Sequence, residues 1–279
     1  MEAASRAFSF VDRITSVHHG RQIRGRYAIP AELRDFPLAL VGEAVGQLAA
    51  WAAMAAVDFG QRPVAGLAGS IELLQVPLPG QVLELAADLE NVDAEGVAYG
   101  GTAHVDGTPV IRLKDCVGPM VPLADFDNPE ALRTRFEQLC RAGVAPGGFR
   151  GLPQLALERT GGEPGQSVSA SFQVPAEAPL FADHFPRRAV FPGSLFMHIN
   201  LQLGAALASE ISPPAEGRWV PGRILDMKLR SFIPPGSALQ LDARLKQHAR
   251  ESARLALETR IGKEVVATAS LVLGVGNSV

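Results

Sequence analysis

Two long runs of apolar residues dominate the hydrophobic pattern of this chain. Residues 38–57 contain a single charged side chain, Glu43, and residues 195–208 contain none apart from His198. A helix that is apolar on nearly every side lies in a protein core or in a membrane. We predict two buried core helices and no membrane span, because the first run is rich in Ala and Gly and an equivalent run recurs in the second half.

Segments of alternating apolar and polar residues surround each run, which is the period of a half-buried strand. One such segment precedes each helix, at residues 22–29 and 167–174. Turn sequences such as Asp106-Gly107 separate the segments that follow. Those segments cover residues 69–75, 81–93, 97–105 and 109–117 in the first half, and 223–232, 238–248, 252–261 and 264–274 in the second. The pattern predicts, twice, an antiparallel meander packed on one helix.

The two halves also align residue by residue. Residues 37–47 match residues 192–202 at an offset of 155, and residues 75–80 match 231–236 at an offset of 156. Upstream, residues 27–32 match residues 172–177 at an offset of only 145. The first half therefore lacks about ten residues where the second half has residues 180–188. An internal repeat at this spacing indicates two copies of one fold.

The repeat divides the chain into two domains and a connection. We place the first domain at residues 1–124 and the second at residues 154–279. Residues 125–153 are predicted to be a linker with a short polar helix at 130–141, capped by Asn128. Its Gly- and Pro-rich end, residues 143–151, is typical of a connecting segment.

Composition narrows the classes of function. A hydrophobic content of 47% provides a packed core, and a net charge of −3 gives no reason to expect nucleic acid as a partner. Cys116 and Cys140 have no disulfide or metal-ligand spacing, which favours a reducing, cytoplasmic location. The first ten residues contain no signal-peptide pattern. We predict no metal and no protein-bound cofactor.

One loop combines a histidine with the start of the second apolar helix. Pro192 fixes a φ angle suited to a first helical turn, and Gly193 lets a ligand approach the free N–H groups there. The positive end of a buried helix beside a basic side chain is suited to polarising a carbonyl group and moving a proton. The sequence of the loop is His184-Phe185-Pro186-Arg187-Arg188-Ala189-Val190-Phe191-Pro192-Gly193-Ser194-Leu195.

This loop resembles the signature of 3-hydroxyacyl-[acyl carrier protein] dehydratases of the FabA/FabZ type. That family reads His-Phe-Pro-x-x-Pro-Val-x-Pro-Gly, so Ala189 replaces the inner proline. The resemblance implies an α+β double hot dog, with two antiparallel sheets each wrapped around a long central helix. The family also has an acid fourteen residues after the histidine, where this chain has His198.

The resemblance further implies one composite site between the halves. In the family, the histidine and the acid of one site come from different subunits. Here the second half keeps His184 and has lost the acid, whereas the first half lacks the loop and keeps Glu43, with Gln47 one helical turn on. These complementary losses predict one complete site and one inactive site, in which His198 is a vestige.

The implied reaction is dehydration of a (3R)-3-hydroxyacyl thioester, carried on the phosphopantetheine of an acyl carrier protein, to a trans-2-enoyl thioester. His184 is the expected base and Glu43 is expected to protonate or orient the departing hydroxyl. The N–H of Gly193 is expected to bind the thioester oxygen. Fatty-acid or polyketide-type biosynthesis would use this reaction. Residues expected to shape the substrate site are Gln47, Val190, Phe185, Pro192 and Leu195.

Two alternatives remain open at this point. One is another thioester enzyme on the same fold, an acyl-CoA hydratase or a thioesterase, and the other is a decayed copy that binds acyl chains or supports a synthase. The chain is expected to be a monomeric pseudo-dimer or a homo-oligomer of it. Several basic residues either meet an acidic carrier protein or form a solvated rim. They are Arg187, Arg188, Arg218, Arg223, Lys228 and Arg230.

Overall fold

The computed structural model describes residues 7–145, 148–212 and 217–276. The first six residues, which bear on the signal-peptide prediction, and residues 146–147 of the predicted linker lie outside the described residues. The described residues form three α-helices, thirteen strands and two short 3₁₀ turns. The domain boundaries drawn from the repeat stay a prediction.

In the first half one long helix follows two strands, of which the alternating pattern predicted the second. The helix is α1 (Leu38–Ala56), and it is preceded by β1 (Arg13–His18) and β2 (Gln22–Ala28). The strands that follow are β3 (Gln61–Pro63), β4 (Leu67–Leu73), β5 (Val82–Val92), β6 (Gly96–Val105) and β7 (Thr108–Pro122). Strands β1 and β3 were not predicted, because both are short and neither alternates clearly.

The connection and the second half follow the same plan. The predicted linker helix is α2 (Pro129–Arg141), and Asn128 Oδ1 caps it by accepting hydrogen bonds from the N–H groups of Glu130 and Ala131. The second buried helix is α3 (Gly193–Ala208). The strands of this half are β8 (Glu158–Gly161), β9 (Ser167–Gln173), β10 (Arg218–Leu229), β11 (Ala238–His248), β12 (Ser252–Ile261) and β13 (Glu264–Gly276).

The strand order confirms the internal repeat. Along the sheet it runs β1-β2-β5-β6-β7-β4-β10-β13-β12-β11-β9-β8, with β3 paired to β7. Each half contributes six strands to this order. Read from its outer edge toward the junction, the first half runs β1-β2-β5-β6-β7-β4 and the second runs β8-β9-β11-β12-β13-β10, so the strands correspond one to one. The halves meet where β4 pairs antiparallel with β10, with Ile71 opposite Ile224. The chain is therefore two copies of one α+β unit joined edge to edge.

This junction differs from the expected pair of separate sheets. The structure has one continuous sheet of thirteen strands within the described residues. The physical reason is that β4 and β10 would each be an edge strand with unpaired N–H and C=O groups, and pairing them satisfies both edges. Helix α1 packs against strands of the first half, α3 packs against strands of the second, and the two helices contact each other.

Helix α1 is long and apolar enough to cross a membrane by length and composition alone, and 61% of that stretch is buried inside the protein. Its buried side chains belong to the main hydrophobic core together with those of α3. Burial of both helices follows from the absence of a polar face. Contact between the two helices brings Glu43 on α1 close to the loop that precedes α3.

Candidate active site

The histidine loop holds the imidazole of His184 in one tautomer. A 3₁₀ turn at Pro179–Ala182 leads into it, and the N–H of His184 donates to the carbonyl of Leu180 at 2.8 Å. The Nδ1 atom of His184 lies 3.0 Å from the carbonyl oxygen of Val190. Because a carbonyl oxygen can only accept, Nδ1 carries the proton. The Nε2 atom is then left with a lone pair that can take a proton from a ligand.

The loop ends at the N–H groups of the first turn of helix α3. The first intrahelical bond runs from the N–H of Phe196 to the carbonyl of Pro192 at 3.0 Å. The N–H groups that precede it in the helix have no intrahelical acceptor. A Cβ atom at Gly193 would lie 2.8 Å from Leu229 Cδ1, so a larger residue would require the end of the Leu229 side chain to move. The arrangement can hold a ligand oxygen at the positive end of α3.

Gln47 holds the carboxyl group of Glu43, which lies one turn earlier on the same helix, α1. Its Nε2 donates to Glu43 Oε1 at 2.9 Å and to the carbonyl of Phe8 at 3.2 Å. Its Oε1 accepts from the N–H of Phe10 at 2.8 Å. These three contacts fix the orientation of the amide, and the amide in turn restricts the carboxyl group. The predicted contact between Glu43 and Gln47 is therefore present.

A single cavity of about 480 Å³ contains the groups from both halves. Its wall includes His184 and Gly193 from the second half and Glu43 and Gln47 from the first. Most of the remaining wall is apolar, and small residues of α1 leave room in it. The members of that small-residue wall are Ala39, Gly42, Gly46, Ala49 and Ala50.

Pro192 and Leu195, which were predicted to contact substrate, are not part of the cavity wall, whereas Phe185 and Val190 are. Pro192 is the N-cap of α3 and Leu195 is fully buried in the hydrophobic core. The prediction failed for Leu195 because its side chain turns into the core, while those of its helical neighbours Phe196 and Met197 line the cavity.

Burial determines the protonation of the titratable side chains in the cavity. It is the main cause that lowers the pKa of His184, and nearby Arg62 lowers it further, whereas Glu43 and the bond to Val190 oppose the shift. The imidazole is therefore neutral at neutral pH, as a base must be. Burial also raises the pKa of the Cys116 thiol to about 12, so this cavity residue is not a thiolate nucleophile.

The structure adds cavity residues that the sequence did not reveal. Arg62, on the unpredicted strand β3, lines the cavity and stacks on Phe185 with its Cζ atom 3.9 Å from the ring centroid. Phe8 packs edge-on against the imidazole of His184 at 5.7 Å, and its N–H donates to Asp183. No motif could have identified Arg62, because an isolated arginine in a three-residue strand has no sequence signature.

The predicted linker also takes part in the site. The N–H of Arg187 donates to the carbonyl of Phe126, and its guanidinium donates to the carbonyl of Ala124. The ring of Phe126 packs against Phe185 at 5.3 Å, and Asp127 lines the cavity. The segment before α2 therefore stabilises the histidine loop through hydrogen bonds and ring packing, in addition to connecting the two halves.

In α3, His198 occupies the position that Glu43 has in α1, and its surroundings differ from those of Glu43. Nε2 of Gln202 lies 3.2 Å from Nε2 of His198, which repeats the spacing of Gln47 and Glu43. Neither residue lines the cavity. At the start of α1, Leu38 occupies the position that Gly193 has in α3. Within residues 7–145, 148–212 and 217–276, no three His, Cys, Asp or Glu residues cluster as metal ligands do.

Comparison with known families places the similarity in the second half. Residues 161–270 match the model of the ApeI-like family, described as ApeI dehydratase. Curated relatives include the 3-hydroxyacyl-[acyl-carrier-protein] dehydratase FabZ of Lactiplantibacillus plantarum, 26% identical over 113 residues, which are 40% of this chain and 77% of the relative. FabZ of Thioalkalivibrio sulfidiphilus is 29% identical over 126 residues, which are 43% of this chain and 85% of the relative.

Solved structures extend the similarity in fold to nearly the whole chain. A protein described as an oleoyl thioesterase from Lactobacillus plantarum superposes with a TM-score of 0.60 at 10% identity, covering 93% of this chain and 98% of that one. A MaoC-like dehydratase gives a TM-score of 0.55 at 9% identity, covering 92% and 98%. The chain is therefore similar to the FabA/FabZ-type hot-dog dehydratases, with sequence similarity centred on its second half and a double hot-dog fold over its length.

Proposed function

We propose that this protein dehydrates (3R)-3-hydroxyacyl thioesters to trans-2-enoyl thioesters at one site shared by its two halves. The observation that carries the proposal is the single cavity, whose wall includes His184 from one half and Glu43 from the other. Similarity to FabZ dehydratases supports the reaction class. Thioester hydrolysis can use the same fold, so the assay below is designed to distinguish it from dehydration.

The arrangement of the groups suits an elimination of water. Nε2 of His184 takes the proton from C2 of the substrate, while the N–H of Gly193 binds the thioester oxygen and stabilises the enolate character that develops. The C3–O bond then breaks, and Glu43 supplies a proton to the departing hydroxyl, which leaves as water. The proton held by His184 then returns to Glu43 through the released water, which restores both groups. No redox partner or metal is needed for this balance.

The surroundings of the site suit an acyl chain carried on phosphopantetheine. The wall of Gly and Ala residues on α1 offers apolar space for the acyl chain. Arg230 lines the cavity, and Arg188 lies over the rings of Phe126 and Phe232 beside it. Exposed arginines there would attract the phosphate or an acidic acyl carrier protein. We place the reaction in fatty-acid or polyketide-type biosynthesis in the cytoplasm.

The test is an assay of the purified chain with a 3-hydroxyacyl-pantetheine thioester. We expect formation of the enoyl thioester, measured by its ultraviolet absorbance, and a loss of at least about a hundredfold in kcat for His184→Ala and for Glu43→Gln, since each removes one proton-transfer group. His198→Ala is the matched control and should keep wild-type kcat, because His198 lies outside the cavity wall.

Other products would contradict the proposal in recognisable ways. Release of free pantetheine thiol without enoyl product would identify a thioesterase. Full activity of Glu43→Gln together with loss of activity in His198→Ala would show that the halves have the opposite roles. Binding of the thioester without turnover would favour the decayed acyl-binding alternative.

A further inference from the structure

The guanidinium of Arg62 contacts the ring that stacks on the imidazole of His184. Its Cζ atom lies 3.9 Å from the centroid of the Phe185 ring. That ring lies 4.1 Å from the imidazole centroid, with 29° between the two planes. Arg62 belongs to β3 of the first half, whereas the other two residues belong to the histidine loop of the second.

The backbone of Phe185 adopts an unusual conformation to hold its ring there. Its φ angle is +68°, in the left-handed region that favours glycine. Such conformations persist where the surrounding contacts over-determine them, and they concentrate at functional sites. Phe126 of the linker supplies one of these contacts through its edge-on packing at 5.3 Å.

Arg62 itself is held with little access to solvent. Its side chain is 14% exposed, and Nη1 lies 4.0 Å from Oδ2 of Asp127, whose side chain is 10% exposed. Both residues line the cavity. The charge of a guanidinium in such a place is screened less than that of a surface arginine, so it acts more strongly on its neighbours.

We propose that Arg62 is a positioning residue for His184 and acts through the ring of Phe185. The guanidinium holds the ring, the ring holds the plane of the imidazole, and the positive charge opposes a second positive charge on the imidazole. The role of Arg62 in turnover rests on the proposed dehydration, in which His184 must be both neutral and aligned with C2. The effect of Arg62 on the imidazole exists with or without that reaction.

The charged groups around His184 predict the direction of that effect. The other charged residues of the cavity wall are Glu43 on α1, Asp127 before α2, Asp183 on the histidine loop and Arg230 after β10. Burial is the main cause that lowers the pKa of His184, Glu43 raises it, and Arg62 lowers it. Removal of the Arg62 charge therefore raises the pKa of His184 and moves the acid limb of kcat/KM to higher pH.

Two substitutions separate the charge of Arg62 from its stacking. Arg62→Met removes the charge and leaves an unbranched apolar side chain that can still pack on the ring. Arg62→Lys keeps the charge and removes the planar group that stacks. The matched control is Arg133→Met. The Cζ atom of Arg133 lies 5.0 Å from the centroid of the Phe59 ring, and its Nη1 lies 2.6 Å from Asp58, so it makes the same kinds of contact outside the cavity.

The first measurement is the pH dependence of kcat and KM of the full chain with the 3-hydroxyacyl-pantetheine thioester. We expect kcat to fall between about tenfold and a hundredfold in both Arg62 variants, with a smaller change in KM, because a misaligned base slows the chemical step more than binding. The acid limb should move to higher pH in Arg62→Met and stay near its wild-type position in Arg62→Lys. Arg133→Met should match the wild type in all three quantities.

The second measurement is an NMR titration of the imidazole without substrate. The His184 signals are assigned by their absence in His184→Gln, and their midpoint should move to higher pH in Arg62→Met only. An unchanged midpoint and an unchanged kcat in folded Arg62→Met would overturn the inference. A moved midpoint in a protein without dehydratase activity would support the effect of Arg62 on His184 and refute the proposed function.

Discussion

At the scale of single residues, the site depends on side chains that orient other side chains. Val190 fixes the tautomer of His184 through a 3.0 Å hydrogen bond, and Gln47 holds Glu43 one turn earlier on the same helix, α1. Neither orienting group needs to touch the reacting carbons of the proposed substrate, because each acts by restricting a side chain to which we assign a proton transfer. Alignment of this kind accounts for a large part of the rate in enzymes that transfer protons.

Substitution of Gln47 tests this positioning. Gln47→Met removes the hydrogen bond to Glu43 and keeps the length of the side chain, so we expect kcat to fall at least about tenfold with little change in KM. The matched control is Gln202→Met, which removes the equivalent contact to His198 on α3. Steady-state kinetics of the two variants make the comparison, and equal kcat values would contradict a positioning role for Gln47.

At the scale of elements, the predictable parts are those with a strong period or a strong local signal. The two apolar runs correspond to α1 and α3, and Asn128 begins α2 as its capping preference indicated. Alternation located eight of the strands that follow the helices, with shifts of a few residues at their ends. The shifts arise because the end of a strand depends on its partner in the sheet, which the local pattern does not record.

Elements without such signals became visible only in the folded chain. Strand β3 has three residues, and its place is set by pairing with β7. The segment before α2 has the composition of a linker, yet its carbonyl groups and the ring of Phe126 hold the histidine loop. Both features depend on contacts between residues far apart in sequence. Arg62 and Asp127 were missed for this reason. His184 was predicted from its recognisable motif, and Glu43 was predicted because the repeat aligns it with His198.

At the scale of the whole molecule, the two copies are joined more closely than two tethered domains would be. The pairing of β4 with β10 makes one sheet, and α1 contacts α3 across the same boundary. The proposed shared site, with the histidine loop in one copy and Glu43 in the other, requires that the copies stay together. The shared sheet provides that association within one chain.

Unfolding of the two halves should therefore be coupled. Each half contains one of the two tryptophans, Trp51 in the first and Trp219 in the second. In Trp219→Phe the fluorescence reports on the first half, and in Trp51→Phe it reports on the second. We expect fluorescence and circular dichroism to give one coincident urea transition within each variant, because the continuous sheet favours cooperative unfolding. A fluorescence midpoint separated from the circular dichroism midpoint of the same variant would show that the halves unfold independently.

The most direct test of the shared site is a crystal structure of the protein with a non-reactive 3-hydroxyacyl-pantetheine mimic bound. We expect the mimic to lie in the cavity between α1 and α3, with C2 about 3–3.5 Å from Nε2 of His184 and the 3-hydroxyl within hydrogen-bond distance of Glu43. Its thioester oxygen should face the N–H of Gly193. A mimic bound to groups of one half alone, with the 3-hydroxyl beyond the reach of Glu43, would contradict the account.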